Sequence, residues 1–508
     1  MADDRPRDGS LLRIQLPSGV ERVLSELAAA GAEAVLVGGC VRDVVRGEDP
    51  DDWDVATSAP PEAVAARFPG SSWENRFGTV TVRPEAVPGR EGVPGREQAD
   101  PAPGVEVTTY RLEGDYGDRR RPDSVRWGTS LAEDLARRDF TINAMAWRPL
   151  ELAAGSGRLV DPHGGADDMR AGVLRAVGDP DRRIGEDALR LVRALRFATR
   201  FGLALDPATE AAVRRHAALA AELSGERVRD ELLRILAGSA TPSTAFAMME
   251  ELGLLGVLLP ELGALRGVPQ SKALPGDALD HSLRTADALP GRDPVLRLAG
   301  LLHDLGKATT LADGHFIGHE SEGARMAATV GRRLRLARPD VERLTRLVRQ
   351  HMFAYTPRWT DAAVRRFVRR AGTDLLDDLF ALRAADNAAS GVREPQTGGL
   401  AELRRRVDAV VGRDPLNARQ LAVNGHDLAA SLGLSPGPAI GAILDRLLEA
   451  VLEDPALNRR ERLLAMARDW LDEAGGGDPT HRPDGPGGGR DGASGRGAAT
   501  IGDPESLP

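Results

Sequence analysis

Apolar residues recur along this chain with two different periods, and the period changes near residue 182. Before that point, Val20, Val23, Leu24 and Leu27 mark one face of a helix. The all-apolar run Ala34–Val37, halted by Gly38-Gly39, predicts a buried strand, and alternation over 53–56, 79–82 and 105–110 predicts further strands. From Arg182 to about Trp470, spacings of three and four residues broken by Pro and Gly predict helices throughout. The fold class expected is therefore an α+β head over 17–175, followed by a mostly α-helical chain. That chain divides into a neck over 176–268, a body over 269–395 and a tail over 396–472. Residues 1–16 read as a disordered, frayed N-terminus. Residues 83–104, where VPGRE occurs twice, read as a surface loop insertion, and the Gly-rich 473–508 reads as a disordered tail.

Composition narrows the picture by exclusion. At roughly 150 residues per domain, 508 residues suffice for several cores. The lone cysteine, Cys40, rules out an intramolecular disulfide and points to a reducing, cytoplasmic setting. The longest apolar stretches fall far short of the roughly 20 residues of a membrane span, and the first residues hold no signal-peptide core, so no membrane partner is expected. A net charge of −9 does not announce nucleic-acid binding, although local patches can hide inside such a sum. Only two of the 67 basic residues are lysines, Lys272 and Lys307.

Candidate chemistry begins at Gly38-Gly39-Cys40-Val41-Arg42-Asp43. Paired glycines after a strand let backbone N–H groups approach a phosphate, and Arg42 can grip its oxygens in fork geometry; a plain strand-to-helix turn is the competing reading. Asp52 and Asp54 follow. Side chains two apart on a strand share a face, so both carboxylates can converge, and like charges held together favour a hard divalent cation such as Mg²⁺. Glu106, in the alternating Val105–Tyr110, is placed to join them from a neighbouring strand. Such an acid set suits nucleotidyl transfer, in which a hydroxyl attacks a nucleotide and pyrophosphate leaves.

Six ordered segments, LVGGCVRD, DDWDVATSA, VEVTTYR, EDLARRDFTINAMA, DPHGGADDMR and RIGEDALRLVRALRF, resemble the class II CCA-adding tRNA nucleotidyltransferase/poly(A) polymerase family. The likeness is strong over roughly 20–265 and weaker to about 470. It implies Mg²⁺ ligation by Asp52 and Asp54 with Glu106 as the accompanying acid, nucleotide binding by Gly38, Gly39, Arg42 and Arg138, and a helical tail that holds tRNA. The expected reaction is template-independent addition of C, C and A to tRNA 3′ ends from CTP and ATP. A poly(A) polymerase and a partial enzyme adding only CC or only A are the alternatives within the family.

Read as one helix, 186–197 would carry Asp187, Arg190, Arg193 and Arg196 on a single slowly drifting stripe. Cytosine and adenine each offer an amino donor to Asp187 and a ring-nitrogen acceptor to Arg190, whereas uracil and guanine present a carbonyl there. The stripe would thus replace a template, with Arg193 and Arg196 in support, and an amphipathic helix with a Glu186–Arg190 pair is the bland alternative.

In the body, His281, His303-Asp304 and Asp386 resemble the HD-domain pattern of metal-dependent phosphohydrolases, which implies a divalent metal of unknown identity. His319 and His351 could serve a second ion. An active centre would hydrolyse phosphoesters on RNA ends; a degenerate structural domain is the alternative, as is a phosphohydrolase whose transferase head is retired. Finally, 332–370 holds twelve arginines against three acids, so Arg365 and Arg366 are candidate RNA contacts.

Overall fold

The computed structural model describes residues 6–74, 78–83, 104–112, 126–270, 272–391 and 398–475. The expectations for the 83–104 insertion and for 476–508 lie outside the described residues, apart from Arg83 and Gly104. The head is built on an eight-stranded mixed sheet of β1 (Leu11–Arg13), β2 (Ala34–Val37), β3 (Asp54–Thr57), β4 (Ser72–Glu74), β5 (Thr79–Val82), β6 (Val105–Thr109), β7 (Ala146–Glu151) and β8 (Ser156–Val160). Their order is β1-β8-β7-β2-β3-β6-β5-β4. Only β3 and β6 run parallel, and their register sets Asp54 opposite Glu106. All four residues of β2 are buried, because apolar layers cover both faces of the sheet. Leu36, Val55, Val107 and Trp147 pack on one side with the helix Ser18–Ala29; Val35, Val37, Ala56 and Tyr110 pack on the other with Leu131 and Leu135.

The N-terminus departs from expectation. Strand β1 pairs with β8, Leu12 and Ile14 are buried, and the Trp147 indole donates to Leu12 O at 3.2 Å. A three-residue strand is too short to read by periodicity against polar neighbours, and it is held only by a partner some 145 positions away. At the other end, the helix Arg460–Gly475 runs past the expected tail boundary at 473.

The division into neck, body and tail is also redrawn. Among the described residues, those up to Trp359 together with Arg370–Asp408 form one compact unit, and Thr360–Arg369 with those from Ala409 onward form a second. Within the first unit the neck and body are tied by Arg297, on the body helix Pro294–Leu302, which is buried and donates to the neck carbonyls of Leu236 and Ser239, both at 2.6 Å. In the second unit, Leu428, Leu447, Val451, Leu463 and Ala467 form the buried side of a helical cluster. Its helix Gly425–Leu432 starts at an Asn424–Asp427 capping box.

Candidate active site and metal centre

The turn after β2 places Gly38 at φ 74°, in the left-handed region. A Cβ there would lie 2.8 Å from Arg138 Nη1, so the missing side chain is what lets that guanidinium approach the chain. Helix α1 (Gly39–Arg46) follows and buries Arg42, whose Nη1 donates to Asn143 Oδ1 at 2.8 Å and whose Nε donates to Asp43 Oδ1 at 2.9 Å. Arg138 is steered by Asp134, which accepts from its Nη2 at 3.2 Å.

Asp54 opens β3, whereas Asp52 lies in the bend before it, so the two acids do not share a strand as the spacing predicted. Both acids nevertheless line the same cleft as Glu106. Burial pushes the Asp54 carboxyl up to about 6, with Glu106 and Asp52 adding to the shift against Arg138. A cluster that resists ionisation in this way fits a divalent cation, which would relieve the repulsion. The acids are loosely gathered: they do not come within 4.8 Å of one another as a threesome.

The cleft holds about 850 Å³ and has two walls. One carries Asp52, Asp54 and Glu106; the other carries Asp187, Arg190, Arg193 and Arg196, with Gly38, Gly39, Arg42 and Arg138 also in its lining. Ten arginines face seven carboxylates there, giving a local positive excess in an acidic chain.

The second wall is not one helix. Helix α2 (Pro180–Glu186) stops at Asp187, which has extended φ −149° and ψ 107°, and α3 (Leu189–Phe201) begins two residues later. Asp187 Oδ1 accepts from Leu189 N at 3.0 Å, so the residue serves as a cap, as short acidic side chains do in preference to helix interiors. Its Oδ2 accepts from Arg227 Nη2 at 2.7 Å. The sequence signal was present: Gly185 precedes an acid and an apolar run. Arg190 spans the break, donating to Glu186 at 2.7 Å, to Arg183 O and to Arg137 O. The predicted Glu186–Arg190 pair therefore exists alongside the cleft placement.

Arg193 Nε donates to Asp139 Oδ2 at 2.7 Å, and Asp139 is held down to about 2: burial raises it, but Arg193 and Asn143 more than compensate. Arg196 is buried against Glu231 at 2.5 Å and over the Phe197 ring at 4.1 Å. Asp139, Asn143, Arg227 and Glu231 are thus positioning residues that spacing could not reveal, because each reaches its partner from a distant segment.

The histidine centre is deeply buried. His303, His319 and His351 each donate from Nδ1 to the carbonyl three residues earlier, Gly300, Phe316 and Val348, at 2.8, 2.8 and 2.7 Å. A carbonyl can only accept, so Nδ1 carries a proton in each ring and Nε2 is the atom left to face the centre. All three Nε2 atoms are buried without a hydrogen-bond partner and surround the Asp304 carboxylate. Burial lowers His281 to about 4, and burial likewise lowers His319. Imidazoles gathered with carboxylates are the donor set a transition metal needs. Two groups, His281–His303–Asp386 and His303–Asp304–His351, have ligand atoms all within 4.8 Å. A close approach makes this possible: a Cβ on Gly306 would lie 2.1 Å from His319 O.

The arginine-rich stretch is a correction. Arg365 is buried, donating to Leu452 O at 2.6 Å, Glu453 O at 2.9 Å and Asp414 Oδ2 at 2.9 Å, and cannot receive a phosphate. Arg366 pairs with Glu453 at 2.7 Å and Glu449 at 3.4 Å. Arg333, Arg343 and Arg346 likewise meet Glu261, Asp293 and Asp374. Counting charge along a window missed acids brought in from other segments.

Comparison with known proteins gives four domain matches: the poly A polymerase head domain over 34–175, the probable RNA and SrmB-binding site of polymerase A over 202–265, the HD domain over 278–390 and tRNA nucleotidyltransferase domain 2 over 344–467. An A-adding tRNA nucleotidyltransferase of Deinococcus radiodurans is 35% identical, spanning 87% of this chain and 96% of its own. A CCA-adding enzyme of Geobacillus stearothermophilus is 31% identical over 89% and 95%. The crystal structure of the Bacillus stearothermophilus CCA-adding enzyme in complex with CTP matches with a TM-score of 0.65 at 28% identity, covering 91% of this chain and 99% of that one.

Proposed function

The chain belongs to the CCA-adding tRNA nucleotidyltransferase family, and we propose the following division of labour for its residues. The enzyme adds C, C and A to tRNA 3′ ends, with CTP and ATP as substrates. The observation that supports the site assignment is the single cleft shared by the sheet-borne acids and the Asp187–Arg190 pair. Asp52 and Asp54, with Glu106 beside them, would hold Mg²⁺, which would supply Lewis acidity at the reacting phosphate. Backbone N–H groups at Gly38 and Gly39 and the guanidinium of Arg138 bind the triphosphate, while Arg42 orders the turn through Asp43 and Asn143. Asp187 accepts from the exocyclic amino group of C or A, and Arg190 donates to the adjacent ring nitrogen. Arg193 faces the nucleotide with Asp139 fixing it, and Arg196 supports α3 through Glu231.

Uracil or guanine would set a carbonyl oxygen against Asp187, costing about 1–3 kcal/mol. Asp187→Ala is therefore expected to relax selection against UTP and GTP by about 10–100-fold in single-nucleotide incorporation, more than it weakens triphosphate binding. Unchanged selectivity would sink the templating role. The activity itself is tested by giving tRNA that lacks its terminus each NTP alone, then CTP with ATP. Restoration to CCA without longer tails is expected; addition of A alone, and only to tRNA ending in CC, would instead align the chain with the A-adding relative.

The histidine centre supports a second activity, hydrolysis of 2′,3′-cyclic phosphates or 2′-phosphates on RNA ends, carried by its three unpartnered imidazole nitrogens. Release of phosphate or opening of a cyclic phosphate with Ni²⁺, Co²⁺, Mn²⁺ or Mg²⁺ is expected, and no release with any of them would remove it. The buried, lone Cys40 supports a cytoplasmic location. Among the described residues, no helix is long and apolar enough to cross a membrane.

A further inference from the structure

Of the ten arginines that line the transferase cleft, eight have a carboxylate within 3.2 Å. Arg111 donates to Thr79 Oγ1 at 3.1 Å. The tenth, Arg200, is exposed in the last turn of α3 and has no hydrogen-bond or ion-pair partner among the described residues. It stands where α3 meets α1. The guanidinium carbons of Arg42 and Arg46, from α1, each lie 4.5 Å from the centroid of the Phe201 ring, and that of Arg200 lies 5.3 Å from it. Three like charges thus gather on one ring, and two are answered: Arg42 by Asp43 at 2.9 Å and Arg46 by Glu48 at 2.8 Å. Burial holds the Arg42 guanidinium below its ordinary value, and repulsion from Arg200 and Arg46 adds to the shift against the pull of Asp43.

We propose that Arg200 grips the terminal phosphate of the incoming nucleotide and so makes the cleft select triphosphates over diphosphates. The inference rests on the reading of this cleft as the site of CTP and ATP. Asp187 and Arg190 stand at the N-terminal end of α3, and Arg200 follows Arg190 by ten residues, about 15 Å along the axis. At that far end lies α1, which opens on the Gly38-Gly39 turn; Arg42 Nη2 is 3.6 Å from where a Cβ on Gly39 would stand. A nucleotide whose base meets Asp187 and Arg190 therefore directs its phosphate chain along α3 toward Arg200.

The chemistry of the neighbours singles out the same residue. A terminal phosphate carries about two negative charges and three acceptor oxygens, which a free guanidinium meets in fork geometry. Arg193 and Arg196 are held by Asp139 and Glu231, so drawing either fully onto a phosphate would leave a buried acid unpaired. Arg200 has only water to give up, and an anion beside it relieves the repulsion among the three guanidinium groups at Phe201.

The test compares CTP with CDP by isothermal titration calorimetry, on the full-length chain with Mg²⁺ and without tRNA. The wild type is expected to bind CTP about tenfold more tightly than CDP. Arg200→Met should weaken CTP about tenfold and leave CDP within about twofold, bringing the two affinities together; the retained CDP binding shows that the variant is folded. Arg200→Lys, which keeps the charge without the fork, should recover part of the preference for CTP. Equal weakening of CTP and CDP by Arg200→Met, or no change in either, would overturn the assignment. So would an unchanged CTP affinity with weaker binding of tRNA that lacks its terminus, the result if Arg200 holds the RNA strand. A wild-type chain that binds neither nucleotide would instead remove the nucleotide site itself, and the inference with it.

Discussion

Asp54 carries a cost that its function explains. Burial, Glu106 and Asp52 hold its carboxyl at about 6 in the folded chain, against an ordinary value of 3.8. A folded value above the unfolded one means that stability is lost as pH rises through this window, and the penalty is complete above pH 6. It amounts to about 3 kcal/mol. Asp54→Asn is thus expected to raise the thermal midpoint of the head by a few degrees at pH 7.5, with the gain shrinking below pH 6 and absent near pH 4 by scanning calorimetry. On the proposed role of Asp54 as a cation ligand, the same substitution costs several kcal/mol at the reacting phosphate, so nucleotide addition should fall on the order of 10³-fold. An inactive variant that is no more stable than the wild type would show that the acids are not mutually strained.

Among the elements, two helices changed meaning once their partners were visible. The stripe expected along 186–197 is interrupted where Asp187 caps α3, so the proposed base-selecting pair lies at a helix junction rather than on a helix face. The helix Asp361–Ala371, expected to meet RNA, instead sends Arg365 inward to the terminal carbonyls of the helix Pro438–Glu453 and to Asp414. Arg365→Met leaves those carbonyls unanswered and Asp414 with Arg413 alone, and should destabilise the second unit by about 1–3 kcal/mol, read as faster amide exchange over Pro438–Glu453. Arg366→Ala, which loses exposed pairs, should change stability by less than about 1 kcal/mol. Equal effects from both substitutions would contradict the burial assignment.

At the scale of the whole molecule, two polar centres share one chain and draw on separate residues. Asp52→Ala should lower nucleotide addition by about 10³-fold and leave hydrolysis of a cyclic phosphate within about twofold, whereas His303→Ala should do the reverse. Loss of both activities in either variant would show that the centres are coupled. What the sequence determined by itself was everything set by short-range chain geometry: the turn at Gly38-Gly39, the acids at 52 and 54, the adjacent His303-Asp304, and the change from sheet to helix. Spacing along a chain fixes these because bond lengths and dihedral periods leave few alternatives. Tertiary structure alone decided which charges are answered: Asp139 meets Arg193 across 54 positions, Arg365 meets Leu452 across 87, and Lys272 meets Asp386 across 114. Partners that far apart are chosen by how whole layers of apolar side chains pack, and no local pattern of residues encodes that outcome.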